Sequence, residues 1–146
     1  MIAITVREML VTDSSTVAAI MPDLGYEATA VQVEERLLQL HNRPDNAVFV
    51  AEFQNEILGW SHVYGVRLLE SSGYAEIGGL VVGLNYQRMG VGTKLIRRSE
   101  HWAAGHGYTR VRLRSGTHRE TAHLFYEELG YIRTKSSYAF ELQIET

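Results

Sequence analysis

The stretch from Tyr74 to Val82 is the feature that most constrains the fold of this chain. It is apolar at nearly every position (YAEIGGLVV), and Glu76 carries its one charge. A strand that is apolar on both faces is usually a central strand, covered on both sides. A short turn follows, and then the run Gln87–Gly92 (QRMGVG) leads directly into a helical pattern. Buried strand, glycine-rich turn and helix in this order predict a mixed α/β fold.

Apolar periodicity on either side of this strand predicts the other elements. The predicted strands are 2–6, 47–53, 57–66, 74–82, 110–114, 131–133 and 138–142, and the predicted helices begin after Asp13, after Thr29, near Val91 and after Thr117. Asp13 can cap the first helix, and Thr29 with Gln32, and Thr117 with Glu120, have the spacing of capping boxes. The predicted inward residues of the third helix are Val91, Leu95, Trp102 and Ala103. The predicted apolar face of the last helix includes Phe125 and Tyr126, and Gly130 ends it. The order is β-α-α-β-β-β-α-β-α-β-β. Because no repeat, low-complexity tract or linker interrupts it, we expect a single domain over residues 1–146.

Composition excludes several classes of protein. The 146 residues include no cysteine, so disulfides, thiolate metal sites and a cysteine nucleophile are excluded. No apolar run approaches the roughly 18 residues of a membrane helix, and the N-terminus does not resemble a signal peptide. We therefore expect a cytoplasmic protein with no membrane partner. A net charge of −3 argues against a nucleic-acid partner.

The run Gln87–Gly92 predicts an anion site. The first turn of a helix leaves backbone N–H groups unpaired, and glycines let a phosphate approach them. Arg88, Lys94, Arg97 and Arg98 make this region basic, although a solvated helix face has the same charge pattern. A Walker loop and a dinucleotide fingerprint both require a different glycine spacing. Glycines that serve only a tight helix entry remain the alternative.

With these residues identified, the sequence resembles the GNAT superfamily of N-acetyltransferases. Gln87, Gly90 and Gly92 match the family's Gln/Arg-x-x-Gly-x-Gly/Ala signature, and the strand residues before them match its characteristic apolar strand. The segment 122–131 (AHLFYEELGY) resembles a second family pattern. The resemblance covers roughly residues 47–142. It implies a GNAT-like mixed central sheet of six to seven strands flanked by about four helices.

The resemblance also implies acetyl-CoA as co-substrate and no metal. The implied cofactor-binding residues are Leu80, Val81, Val82, Gln87, Arg88, Met89, Gly90, Val91, Gly92, Thr93 and Arg119. The backbone of residues 80–82 would pair with the pantetheine arm, and the amides of residues 88–93 would hold the pyrophosphate. Arg119 stands where many members carry asparagine, so it would reach a phosphate instead of the pantetheine.

Two residues are candidates for catalysis. Tyr126, which the resemblance places near the sulfur of CoA, is the candidate general acid, because a phenol can donate a proton to a thiolate. Glu76 is the candidate general base, since strand alternation predicts that it shares a face with Leu80 and Val82. Tyr126 as a core aromatic, and Glu76 as a carboxylate at an exposed strand end, are the alternatives.

The histidines do not indicate a metal site, because none of their pairs has helical metal-ligand spacing. His118 is a candidate contact for CoA or substrate.

The acceptor of the reaction is less constrained by the sequence. By the resemblance, the acceptor site forms near residues 21–33 with the final hairpin opposite. Its acidic residues would favour a cationic amine such as a polyamine, an aminoglycoside, an amino acid or a peptide lysine; they are Asp23, Glu27, Glu34 and Glu35.

The sequence thus predicts an N-acetyltransferase acting on a primary amine by direct transfer. A non-catalytic acyl-CoA sensor and a nucleotide-binding domain are the competing functions. A sensor needs only the loop and the strand, whereas the presence of Tyr126 favours an enzyme. The sequence does not decide whether the protein forms a homodimer.

Overall fold

The computed structural model describes residues 3–21 and 27–145. They fall into two compact units, Met1–Arg114 and Ser115–Thr146, which we describe separately. The elements are β1 (Thr5–Glu8), α1 (Ser14–Ile20), α2 (Ala30–His41), β2 (Asn46–Phe53), β3 (Glu56–Val66), β4 (Tyr74–Val82), α3 (Val91–Gly105), β5 (Val111–Leu113) and α4 (Glu120–Glu128). Among the described residues no helix is long and apolar enough to cross a bilayer.

The first unit is built on a sheet with the strand order β1-β2-β3-β4-β5. Neighbouring strands are antiparallel except β4 and β5, which are parallel and joined through α3. The predicted hairpin between β2 and β3 is confirmed: Gln54 and Asn55 both have positive φ, which is the two-residue turn that matches strand twist. The mixed α/β class and four helices are confirmed. The prediction of six to seven strands is wrong, because the described residues form five.

Of the caps predicted for the first two helices, one is correct and one is wrong. Thr29 and Gln32 form the expected capping box at α2, with side-chain to backbone distances of 3.1 and 3.0 Å. Asp13 is the N-cap residue of α1, as its predicted start requires, but its side chain makes no cap hydrogen bond to that helix. Its carboxylate instead accepts the Leu10 N–H and pairs with Arg7, whose hydrogen bond is the main reason that the pKa of Asp13 is lowered. A capping rule considers only residues within about one helical turn, so it does not predict an ion pair with a residue 6 positions away.

The sheet has a helix layer on each face. The face toward α3 is closely packed: Phe49 and Val63 from the sheet and Leu95 and Ile96 from the helix are each 0% exposed. The predicted inward residues of α3 are all buried; they are Val91, Leu95, Trp102 and Ala103. The opposite face is covered by α1 and α2 through a smaller cluster, which includes Val17, Val33 and Leu37.

A β-bulge interrupts β4 and changes which side chains share a face. Opposite β3, the register runs from Ile77 to Gly79 and skips Gly78. Beyond such an extra residue the alternation of faces is reversed. Glu76 therefore lies opposite Tyr64 on the face that carries His62 and Gly79. The prediction that Glu76 shares a face with Leu80 and Val82 is wrong for this reason.

The second unit contains α4, followed by a segment that is neither helix nor strand over residues 131–145. The predicted capping box at Thr117 is wrong, because the N-cap residue is Arg119 and it makes no side-chain cap. No α4 residue is fully buried, although the predicted apolar face is half-buried at Phe125 and Tyr126. Gly130 ends the helix with a φ of 102°, as expected.

The two predicted C-terminal strands are also corrected. Residues 131–145 carry no strand, and the side chains of Tyr138, Phe140 and Leu142 are 85–95% exposed. Alternating apolar residues favour a strand, but a strand forms only where a neighbour completes its hydrogen-bond ladder. No such ladder is present within the described part of this unit.

Candidate active site

The run from Gln87 to Thr93 presents a row of backbone N–H groups. Gly90 precedes α3 with a φ of 81°, the left-handed region that glycine adopts without strain. The first paired amide of the helix is that of Lys94, which donates to the Gly90 carbonyl at 3.1 Å. Within the described chain, the amides of residues 87–93 make no hydrogen bond. Unpaired amides at the positive end of a helix dipole are an arrangement that can hold an anion.

The space in front of this row is open. A Cβ built on Gly90 would meet no atom within 4 Å. Of the four basic residues nearby, Arg97 pairs with Glu100 at 2.9 Å and Arg98 stacks 4.3 Å above the ring centre of Phe49. Arg88 and Lys94 are exposed and make no ion pair among the described residues, so they are the cations available to an anion.

The strand that leads to this loop has a free edge. β5 pairs with β4 only at Ala75, Glu76 and Ile77. Beyond that point no described residue bonds to the β5 side of Leu80, Val81 and Val82. Three of the predicted cofactor residues therefore lie on an unpaired strand edge that runs toward the amide row. An extended amide-containing molecule could add to that edge as an additional strand does.

Glu76 belongs to a hydrogen-bonded group at the bulge. Its Oε2 accepts the hydroxyl of Tyr64 at 2.8 Å, and its Oε1 lies 3.5 Å from Nε of Arg114. Burial and the hydrogen bond to Glu76 raise the pKa of Tyr64 to about 12, so its hydroxyl stays protonated at neutral pH. The Tyr64 ring covers Gly78, where an added Cβ would come within 2.4 Å of the ring.

A cavity of about 320 Å³ opens between the two N-terminal helices and the sheet. Its walls include Val17 from α1, Leu37 and Leu40 from α2, and Trp60 and His62 from β3. The glycine pair Gly78–Gly79 also lines it, so the cavity reaches the bulge in β4. Bulges commonly occur next to active sites, where they release backbone groups from the ladder.

The predicted acidic acceptor region is only partly present at this cavity. Glu27 lines it, whereas Glu34 and Glu35 are not among the described lining residues. Asp23 lies outside the described residues. His62 is mostly buried, and this burial lowers its pKa below the usual value. The described residues also hold no cluster of three or more metal-ligating side chains.

Sequence reasoning missed Tyr64, Trp60 and His62, which lie on β3, and Arg114, which directly follows β5. Register across the sheet brings them to Glu76 and to the cavity. One signal was available in the sequence: two adjacent glycines inside an apolar strand indicate a bulge or a close approach of backbone.

The second unit carries the other candidates. Tyr126 lies on α4, half-buried, with its ring 6.4 Å from that of Tyr131. Arg119 is exposed at the N-cap of this helix, and His118 is exposed one residue earlier. The His118 ring lies beside Gly116, whose carbonyl is 2.8 Å from Nε2 of His123.

A comparison with protein families identifies the relatives of this chain. The profile of the Acetyltransferase (GNAT) family matches residues 15–131. The chain belongs to the GNAT acetyltransferase family. It is therefore an acyltransferase, and the resemblance drawn from the glycine-rich run is confirmed. A search of curated proteins finds no match.

Solved GNAT-fold structures superpose on nearly the whole chain. A transcriptional regulator from Bacillus halodurans C-125 is 21% identical, with a TM-score of 0.85 over 96% of this chain and 100% of the other. An aminoglycoside 6'-N-acetyltransferase from Acinetobacter baumannii is 18% identical, with a TM-score of 0.82 over 98% and 100%. An aminoglycoside N-acetyltransferase solved with CoA is 15% identical, with a TM-score of 0.85 over 99% and 97%. At these identities the likeness establishes the fold.

Proposed function

We propose that this chain is an N-acetyltransferase that moves the acetyl group of acetyl-CoA directly to a primary amine. The observation that carries the proposal is the row of unpaired amides at residues 87–93, which continues from the free edge of β4. Family membership supports it, and so does the complex of one fold relative with CoA. A sensor that binds acyl-CoA without catalysis is the competing function.

The proposed cofactor site follows the chain from strand to helix. Leu80, Val81 and Val82 would pair through their backbone with the pantetheine arm, and the amides of residues 87–93 would hold the pyrophosphate. The open space before Gly90 and the exposed cations Arg88 and Lys94 suit such an anion. Arg119 remains a proposed phosphate contact.

The reaction forms a bond between the amine nitrogen and the acetyl carbonyl carbon, and breaks the bond from that carbon to sulfur. The nitrogen must lose a proton and the departing thiolate must gain one, which yields an amide and CoA. We propose that backbone N–H groups at the Gly78 bulge stabilise the developing oxyanion. Glu76 is the proposed acceptor of the nitrogen's proton, and its hydrogen bond to Tyr64 holds the carboxylate in place.

Tyr126 is the proposed donor of a proton to the thiolate. Tyr126→Phe removes the hydroxyl and keeps the ring, so it should lower kcat by about tenfold or more. The KM for acetyl-CoA should change little. An unchanged kcat would exclude Tyr126 from the mechanism.

The loop can be tested with a matched pair of glycines. Gly90 and Gly107 have φ values of 81° and 86°, and neither would bring a new Cβ within 4 Å of another atom. Gly90→Ala and Gly107→Ala therefore introduce similar backbone strain, of about 1–2 kcal/mol. The new methyl at position 90 faces the proposed phosphate, so this variant should raise the KM for acetyl-CoA by about tenfold or more. Gly107→Ala should leave it unchanged.

The assay is the release of free CoA thiol from acetyl-CoA by the purified full chain, with and without an amine acceptor. Acceptor-dependent release supports the enzyme. Tight binding of CoA with no acceptor-dependent release across amines, aminoglycosides, amino acids and peptides would establish the sensor instead. A rise in melting temperature with ATP but not with CoA would favour a nucleotide-binding domain. The single domain, the cytoplasmic location and a homodimer stay predictions.

A further inference from the structure

We infer that the acceptor is an apolar monoamine, with an arylalkyl or alkyl body, rather than a polycation such as a polyamine or an aminoglycoside. The inference rests on the proposed function, since it names the acceptor of that same reaction. It reverses the expectation drawn from the acidic residues of the N-terminal helices. Its basis is the chemistry of the cavity beside the bulge.

The walls of the cavity are mostly hydrocarbon on both sides. Val33 and Leu37 of α2 are 5% and 3% exposed and belong to the apolar cluster that packs this helix on the sheet. Trp60 forms part of the opposite wall. Its one polar atom, Nε1, is buried with no hydrogen-bond partner among the described residues, so the surface that this ring gives the cavity is carbon. An apolar body placed here would be removed from water, which favours binding.

The charges around the cavity do not match a polycation. Among the described lining residues, Glu27 and Arg36 are the acidic and the basic side chain, and both are exposed. Burial lowers the pKa of the His62 imidazole, which favours its neutral form. A second ammonium that entered between the apolar walls would lose its hydration, and Glu27, which is exposed and balanced by Arg36, is the one carboxylate of the described lining that it could face. A monoamine carries no such group.

The position and size of the cavity agree with this acceptor. Gly78 and Gly79 line one end, so an acceptor whose body fills the cavity can direct its amine to the bulge in β4. A volume of about 320 Å³ is at the lower end of small-molecule sites, which commonly span about 300–1,000 Å³. The cavity suits a compact body attached to one amine.

Pentylamine and cadaverine provide the sharpest test, because they differ only by a second amine at the far end of the same carbon chain. The full chain is assayed for CoA release with each amine over a range of concentrations. We expect kcat/KM for pentylamine to exceed that for cadaverine by about tenfold or more. 2-Phenylethylamine should behave as pentylamine does, and kanamycin should be a poor acceptor.

A matched pair of variants then links the preference to the cavity. Leu40 lines the cavity and is half-buried, whereas Leu38 on the same helix is 47% exposed and does not line it. Leu40→Glu supplies a carboxylate to the cavity and should shift the ratio of kcat/KM values toward cadaverine. Leu38→Glu adds the same charge to the same helix and should leave the ratio unchanged.

The outcomes separate this inference from the proposed function. Equal or faster acetylation of cadaverine or kanamycin would overturn the apolar acceptor and leave the N-acetyltransferase standing. A preference for pentylamine that Leu38→Glu alters as much as Leu40→Glu would also overturn it, because the cavity would then not be its source. The absence of acceptor-dependent release with every amine would overturn the proposed function itself.

Discussion

The two faces of the central sheet are packed in different ways. On the α3 face, large side chains from helix and strands interlock, and the buried hydroxyls of Ser61 and Ser99 bond each other at 3.1 Å. On the face covered by α1 and α2, packing is incomplete and a cavity of about 320 Å³ remains. Three polar atoms there are buried and have no hydrogen-bond partner among the described residues: Oγ of Ser14, Nε1 of Trp60 and Nε2 of His62.

This difference indicates a division of roles. Close packing on the α3 face holds β4 and the N-terminus of α3 in fixed positions, and these two elements carry the free edge and the amide row. The other face leaves room for a ligand, and we expect it to contribute less to stability. Binding sites generally combine a rigid support with a partly unfilled surface. Three sets of substitutions test whether the two faces differ in this way.

The largest expected effect is the loss of stability when a leucine that packs a helix on the sheet is replaced by alanine. Leu95 is 0% exposed on α3, and Leu95→Ala should lower the free energy of unfolding by about 2–5 kcal/mol, because it opens a void in close-packed surroundings. Leu40→Ala enlarges a space that already exists, so it should lower the free energy of unfolding by a smaller amount, about 1–2 kcal/mol. Urea denaturation of both variants measures the difference. Equal losses would mean that the two faces are packed alike.

A smaller effect is expected from buried hydroxyls. Ser61→Ala should cost about 1–3 kcal/mol, because it leaves the buried Ser99 hydroxyl without its partner. The double variant Ser61→Ala/Ser99→Ala should be less destabilised than the sum of the two single variants. Ser14→Ala on the cavity face removes a hydroxyl that has no partner and should be neutral or stabilising. A loss for Ser14→Ala as large as that for Ser61→Ala would contradict the comparison.

The smallest expected effect is a pH dependence of the protein's stability, caused by His62 on the cavity face. Burial lowers the pKa of His62, so the unfolded chain binds a proton at this residue more readily than the folded chain does. Stability should therefore fall as pH drops below the unfolded value of about 6.5, and His62→Gln should reduce that fall. Free energies of unfolding between about pH 7.5 and 5.5 measure it. His41→Gln, at an exposed site on α2, is the control and should keep the wild-type slope.

Much of the fold follows from local patterns. The apolar run at 74–82, the inward face of α3 and the capping box at Thr29 were predicted correctly because each depends on neighbours within a few residues. The errors share a different cause. Asp13 is held by Arg7 instead of capping a helix, and residues 138–142 have the alternation of a strand but no ladder partner. Both outcomes depend on which distant groups are available.

The candidate site also has one part that the sequence predicted and another that it did not. The run Gln87–Gly92 indicated an anion site from sequence alone, because a glycine turn before a helix leaves the first amides of that helix unpaired. The family came from the resemblance of this run and of residues 122–131 to family patterns. The environment of Glu76 could not be predicted, because one extra residue at Gly78 reverses the faces of the strand beyond it. The hydrogen bond from Tyr64 and the approach of Arg114 then follow from register across the sheet.

The family was identified from the resemblance of two sequence motifs, whereas the order of the elements in the first 114 residues and the glycine turn before α3 followed from apolar periodicity and short-range backbone geometry. The chemistry of the cavity, in contrast, depends on tertiary packing. Acidic residues close together in the sequence predicted a cationic acceptor, yet Glu34 and Glu35 do not line the cavity in the described chain. A side chain affects a ligand only in the space that it faces. The packing of α2 on the sheet turns Val33 and Leu37 toward the cavity, rather than Glu34 and Glu35.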